Sequence, residues 1–199
     1  MVRARSFILA SHSPRRRELL AAAGFEFETL SADVVEKDDF DLTLREMTTL
    51  NAVRKGLAVA RLRPETVVLA ADTLVAIDGQ VIGKPADLNE AVRILQRLSG
   101  RAHEVCSTVF VCQLAAGRST SFCEISRVRF RRLSKDKIDN YVAKVNPLDK
   151  AGAYAAQGHG TEIIEKIEGS FTNVVGLPME QTVPVLASFG ITPATTSSR

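Results

Sequence analysis

Three cysteines and three histidines among 199 residues are too few and too scattered for a disulfide framework or a structural zinc site. Cys106, Cys112 and Cys123 are odd in number and show no C-x-x-C spacing, which suits reduced, half-buried strand positions. No apolar run approaches the roughly 18 residues that span a bilayer. The opening M-V-R-A-R leads into an apolar run of only about five residues, short of a signal peptide, so a cytoplasmic protein is expected. A net charge of +3 falls short of a polybasic nucleic-acid arm. Phosphate-binding signatures are missing too: there is no G-x-x-x-x-G-K-[ST], and no G-x-G-x-x-G follows the first apolar run. His12, His103 and His159 are dispersed and no G-x-S-x-G elbow exists, so Ser/His/Asp chemistry fits poorly. Of the three, His12 is the one expected near a site, and a lone loop histidine is more often solvated than catalytic.

What the chain does have is a core. With 45% hydrophobic residues it can form one domain over residues 1–191, with the Thr/Ser-rich residues 192–199 as a flexible tail. Residues 67–73, V-V-L-A-A-D-T, give five apolar positions rich in β-branched Val, the pattern of a strand buried on both faces. The run stops at Asp72. An ionised carboxylate at a buried strand end needs a partner, and strand ends of α/β proteins are where ligands sit. The alternative is that Asp72 opens a turn, as Asp often does.

Residues 6–10 form a first short strand, followed by helix-start chemistry: Ser13 as cap, Pro14 at the first helical position and Gly24 as the stop. Arg15, Arg16 and Arg17 crowd the first turn, against the helix dipole. An anion removes that conflict, with Ser11 and Ser13 hydroxyls adding donors; a solvated basic turn is the other reading. Residues 25–30 read as a second strand and 31–41 as an acid-rich connection in which Glu36 stands out. Thr43 and Glu46 form a capping box for a helix to about Arg63, with Asn51 and Lys55 one turn apart; Lys55 is either a functional cation or a solvated one.

After residues 67–71 come 74–77 and 80–82, joined by Asp78-Gly79 as a tight hairpin, and then Gly83-Lys84-Pro85. Asp87 or Asn89 caps a helix ending at Ser99-Gly100. Residues 103–114 and 119–131 read as a long hairpin, whose Arg127, Arg129 and Arg131 form a stripe that guards an edge or meets a ligand. A helix over 135–145 precedes D-K-A-G-A-Y-A-A-Q-G-H-G at 149–160, where interleaved Gly and Ala bring backbone close to something. Residues 169–178 form a second Gly-bounded loop, and a last helix spans about 179–189.

The set Ala10-Ser11-x-Ser13-Pro14-Arg15-Arg16 with Glu18-Leu19-Leu20, Ala71-Asp72-Thr73, Lys84-Pro85, Leu98-Ser99-Gly100, Asp149-Lys150-Ala151-Gly152-Ala153-Tyr154 with Gln157-Gly158, and Asn173-Val174-Val175-Gly176-Leu177-Pro178 resembles the Maf family of nucleotide pyrophosphatases. The resemblance covers nearly the whole chain in order. It implies an α/β fold, an elongated twisted mixed sheet with flanking helices and two lobes around a cleft, similar to inosine triphosphate pyrophosphatases. It also implies hydrolysis of a nucleoside triphosphate to the monophosphate and pyrophosphate, assisted by Mg²⁺ or Mn²⁺. Asp72 matches the family's proton acceptor; Ser11, Arg16, Lys55 and Lys84 match phosphate contacts, and Arg15, Thr73 and Gln157 match the specificity positions. Glu36 matches the acid after the second strand that helps hold the metal. The resemblance assigns a Gln at position 157 to dTTP and UTP, extending to modified pyrimidine nucleotides, and a Glu there to 7-methyl-GTP. Physically, a Gln amide offers a donor and an acceptor to the edge of uracil or thymine, whereas a carboxylate offers acceptors alone.

Expected partners are therefore a nucleoside triphosphate, neither nucleic acid nor membrane, and a second copy of the chain, since family members often dimerise. Two rival readings stay open on sequence alone. One is a non-catalytic nucleotide-binding regulator of cell division and septum formation, a role with which members have been linked; the other is a nucleic-acid binder using the Arg127, Arg129 and Arg131 stripe.

Overall fold

The computed structural model describes residues 6–31, 34 and 42–194. Among the described residues, seven strands make one mixed sheet in the order β2-β1-β3-β5-β6-β7, with β4 paired to β3. These strands are β1 (Phe7–Leu9), β2 (Phe27–Thr29), β3 (Val68–Ile77), β4 (Gln80–Ile82), β5 (Ala102–Gln113), β6 (Arg118–Phe130) and β7 (Ile164–Glu168). The helices are α1 (Pro14–Ala22), α2 (Leu44–Leu62), α3 (Leu88–Leu98), α4 (Lys135–Lys144), α5 (Gly160–Ile163), α6 (Phe171–Val175) and α7 (Met179–Ser188), with a 3-10 turn at Ala151–Ala153. The expected α/β class with flanking helices is observed. Among the described residues, no helix is long and apolar enough to cross a membrane. The chain divides into two compact units, Met1–Asp72 with Ser107–Cys123 and Gly176–Arg199, and Thr73–Cys106 with Glu124–Val175.

In the first unit, β1 lies between β2 and β3 and is parallel to both, with Phe7 opposite Phe27 and Ile8 opposite Val68. Side chains alternate across a strand, and here they sort into two cores. Phe7, Leu9, Leu69, Ala71, Val109 and Val111 face Leu20 of α1 and Leu186 of α7, while Ile8, Ala10, Val68, Ala70, Phe110 and Cys112 face Ala52, Val59 and Ala60 of α2. Coverage on both faces is why residues 67–71 read as a continuous apolar run. The capping box of α2 is present, with Thr43 N–H donating to Glu46 Oε2 at 2.9 Å and Glu46 N–H to Thr43 Oγ1 at 3.3 Å. Ser13 occupies the N-cap of α1 but makes no side-chain cap bond. Its own N–H donates instead to Ser11 Oγ at 3.2 Å.

In the second unit, Asp78-Gly79 turns β3 into β4 with both residues at positive φ (54° and 71°), the type I′ geometry that the dipeptide favours. Two stretches depart from the sequence reading. Residues 164–168, unassigned from their I-E-K-I-E pattern, form β7, which places Arg127 opposite Glu168 and Arg129 opposite Lys166. The arginine stripe therefore guards no edge: β6 is interior, and β7 lies outside it. Residues 171–175, expected within a loop, form α6, whose buried Asn173 donates to Val105 O at 3.0 Å and Ser126 Oγ at 2.9 Å. Those two bonds fasten the short helix to β5 and β6 and supply what five residues cannot supply by themselves.

His103 of β5 is a buried structural group. Its Nε2 is 2.7 Å from Tyr154 Oη, and its ring meets Phe130 edge-on at 4.9 Å between centroids. Burial holds the imidazole down to about 4 from its ordinary 6.5. The unfolded chain therefore binds a proton between those values that the folded chain refuses. The associated stability is complete above pH 6.5 and is lost as pH falls towards 4, by about 3 kcal/mol at most. Urea midpoints measured from pH 7 to pH 4 are expected to fall more steeply in the parent than in His103→Gln; parallel slopes contradict the assignment.

Candidate active site

The strand expected to end at Asp72 does not end there. Residues 68–77 are one strand, and Asp72 is its fifth residue. The parallel pairing with β1 does stop nearby, at Leu9 opposite Leu69, with Ala10 N–H donating to Leu69 O at 2.7 Å as β1 turns away. Asp72 thus lies just past the last β1 partner, in the position where parallel α/β sheets present ligand-binding groups. Alternation puts its side chain on the face of Val68 and Ala70, which is the α2 face.

A carboxylate 4% exposed inside a sheet is strongly destabilised unless it is paired. Lys55 of α2 supplies the pair. Its Nζ donates to Asp72 Oδ1 at 2.6 Å, and Asn51 Nδ2, one turn earlier, approaches Oδ2 at 3.4 Å. Lys55 is thus not a solvated cation: its ammonium turns inward to the carboxylate. Gly56 makes this reach possible: a Cβ there would lie 2.5 Å from Phe110 Cδ1 and 3.2 Å from Ala70 Cβ, so only glycine lets α2 seat this close to the sheet. One turn before Asn51, buried Thr48 Oγ1 lies 2.9 Å from Thr108 Oγ1. Positions 48, 51 and 55 therefore form a polar row along a helix face otherwise packed on apolar strands.

The first turn of α1 splits its three arginines by burial. Arg17 is exposed, Arg15 half-buried and Arg16 buried. Arg16 Nε donates to Gly176 O at 2.8 Å, while Nη1 donates to Ser11 Oγ at 3.0 Å and to Ala71 O at 2.9 Å. One guanidinium thereby joins the α1 start, the segment entering α7 and the residue immediately before Asp72. Its positive charge lies beside the strand that carries Asp72 and within the same compact unit, while α1 itself packs on the Leu69 and Ala71 face and the Asp72 side chain points to the α2 face. Exposed His12 makes its contact with Ser31, 3.0 Å from Nδ1.

The remaining candidates belong to the second unit or lie outside the described residues. Thr73 follows Asp72 on β3 and is half-buried, Lys84 is exposed after β4, and Gln157 is half-buried in the loop before α5. The two loops are joined: Gly152 N–H donates to Gly83 O at 3.1 Å, next to Lys84. Glu36 lies outside the described residues. Among the described residues no three His, Cys, Asp or Glu side chains converge on one point. Mg²⁺ asks for no such cluster, since it binds through one or two carboxylates with phosphate and water completing its shell.

Gly56 and the inward course of Arg16 were missed in the sequence. Gly56 carries no local signal in a helix pattern, and Arg16 differs from its neighbours only by helical phase: it is four residues before Leu20, on the face that packs inward. Arg16→Lys keeps the charge but cannot reproduce a planar fork reaching three oxygens. Urea unfolding is expected to show a loss of about 2 kcal/mol; unchanged stability contradicts the clamp.

The family profile described as Maf-like protein matches residues 6–189. A dTTP/UTP pyrophosphatase of Bacillus pumilus (strain SAFR-032) is 45% identical over 94% of this chain and 97% of its own. Proteins of the same name from Bacillus velezensis and Pelotomaculum thermopropionicum are each 42% identical, over 92% and 94% of this chain and 96% and 97% of theirs. With the profile running from β1 to the end of α7 and relatives 42–45% identical over more than nine-tenths of its length, the chain belongs to the Maf family.

Proposed function

We propose that this protein is a pyrophosphatase that hydrolyses dTTP and UTP to the nucleoside monophosphate and pyrophosphate. The observation that carries the reading is the buried Asp72 carboxylate held by Lys55 at 2.6 Å, in a chain whose relatives bear the name dTTP/UTP pyrophosphatase. A nucleotide-binding module without turnover needs cations but has no use for a carboxylate buried at a large desolvation cost. A general base does, because a position shielded from bulk water strengthens its interaction with a bound water.

In the proposed reaction Asp72 takes a proton from a water whose oxygen attacks the α-phosphorus. A new P–O bond forms there, the bond from the α-phosphorus to the bridging oxygen breaks, and pyrophosphate leaves with the bridging oxygen. Lys55 Nζ carries three donors, so it can hold Asp72 and also meet a phosphate oxygen. Ser11, Arg16 and Lys84 are assigned to the phosphates, Arg16 chiefly by fixing the α1 start and the backbone around it. Glu36, the acid that the family resemblance matches, would offer a carboxylate to a divalent cation, Mg²⁺ or Mn²⁺, with phosphate oxygens and water completing its shell. Such a cation would supply positive charge against that developing on the leaving pyrophosphate.

Arg15, Thr73 and Gln157 are assigned to base recognition, with the Gln157 amide matching the donor and acceptor edge of uracil or thymine. A panel of canonical and modified nucleoside triphosphates, assayed with Mg²⁺ or Mn²⁺ for pyrophosphate, tests this directly. UTP and dTTP are expected to exceed 7-methyl-GTP in kcat/KM by at least about tenfold, and Gln157→Glu to narrow that gap. Preference for the guanine nucleotide in the parent, or release of orthophosphate alone, contradicts the assignment.

A further inference from the structure

The segment 151–160 is built almost entirely of Ala and Gly, and in A-G-A-Y-A-A-Q-G-H-G the one large apolar side chain is Tyr154. Resting on the functional reading above, we infer that Tyr154, held by His103, is a positioning residue that sets the pose of Gln157 and so the choice of base. Tyr154 enters the interior of its unit after two consecutive left-handed residues, Gly152 (φ 73°) and Ala153 (φ 62°). Ala153 has a Cβ and is fully buried, so this backbone persists only where its surroundings fix it.

Those surroundings are an aromatic box of β5, β6 and α4 residues. Tyr154 meets Phe130 edge-on at 4.8 Å and His103 at 5.4 Å, with its hydroxyl 2.7 Å from His103 Nε2. The adjacent Ala155 N–H donates to Oη of buried Tyr141 at 3.1 Å. From there the chain of contacts runs on to Gln157. Gly160 sits so tightly on Ala155 that an added Cβ would lie 2.4 Å from Ala155 O, and Gly160 N–H donates to Gln157 O at 3.1 Å. An amide that must discriminate a base edge has to be held within a fraction of an ångström, and no other side chain between Ala151 and Gly160 is both large and buried.

Tyr154→Phe keeps the ring and deletes the hydroxyl. Two readouts are needed. Amide hydrogen exchange over residues 155–160, measured without nucleotide, is expected to accelerate by at least about tenfold. In steady-state assays KM for UTP is expected to rise about tenfold with kcat within about threefold, and the preference for UTP over CTP to fall by a similar factor. His103→Gln, which can still reach the hydroxyl, is expected to show smaller changes than His103→Leu in both. Unchanged exchange overturns the anchor, and faster exchange with unaltered KM and base preference overturns its role in selectivity. Failure of the underlying functional reading is separate: the parent itself would release no pyrophosphate from UTP.

Discussion

The pairing of Lys55 with Asp72 is the constraint around which the first compact unit is arranged. A carboxylate in the fifth position of a ten-residue strand, with apolar neighbours on its own face, is strongly unfavourable unless it is paired. It is tolerated because α2 brings an ammonium to 2.6 Å. That approach in turn depends on Gly56, whose missing side chain leaves the room that Phe110 and Ala70 fill. The helix is fixed in phase by its capping box and by Ala52, Val59 and Ala60 packed on the sheet. Breaking such a pair on one side typically costs more than the pair contributes, because a lone buried charge remains. A group retained on these terms is better explained by chemistry than by stability.

Arg16 performs the matching task for the backbone. Its fork binds carbonyls of Ala71 and Gly176 and the Ser11 hydroxyl, so the α1 start and the strand carrying Asp72 are locked together by one side chain. A positive group at a helix start is locally unfavourable, and three oxygen acceptors offset that. In the second unit the same logic appears without charge. The 149–160 loop has little side-chain volume of its own, and its shape comes from the aromatic box and from the Gly152 to Gly83 bond.

Much of this was readable from residues alone. The capping box at Thr43, Pro14 opening α1, the Asp78-Gly79 hairpin and the long β5–β6 hairpin all rest on local chemistry, and all are found where local chemistry puts them. The failures are non-local. Asp72 looked like a strand end because a charge interrupts an apolar run, yet the partner that allows the strand to continue lies seventeen residues away in sequence. The strand β7 and the helix α6 are each five residues long and owe their state to β6 and to Asn173. Ser13 was expected to cap with its hydroxyl, but Ser11 takes its N–H. The candidate residues Ser11, Arg16, Lys55 and Asp72 were legible as types, and their mutual placement in one unit was not.

The central claim is that the Asp72 carboxylate performs chemistry and does not merely close a charge pair. Its most direct test is Asp72→Asn, which keeps the shape and a hydrogen-bonding partner for Lys55, with UTP turnover and nucleotide affinity measured on the same preparation. Turnover is predicted to fall by about 10²–10⁴-fold while calorimetric affinity for the nucleotide stays within about threefold of the parent. Turnover comparable to the parent's contradicts the account.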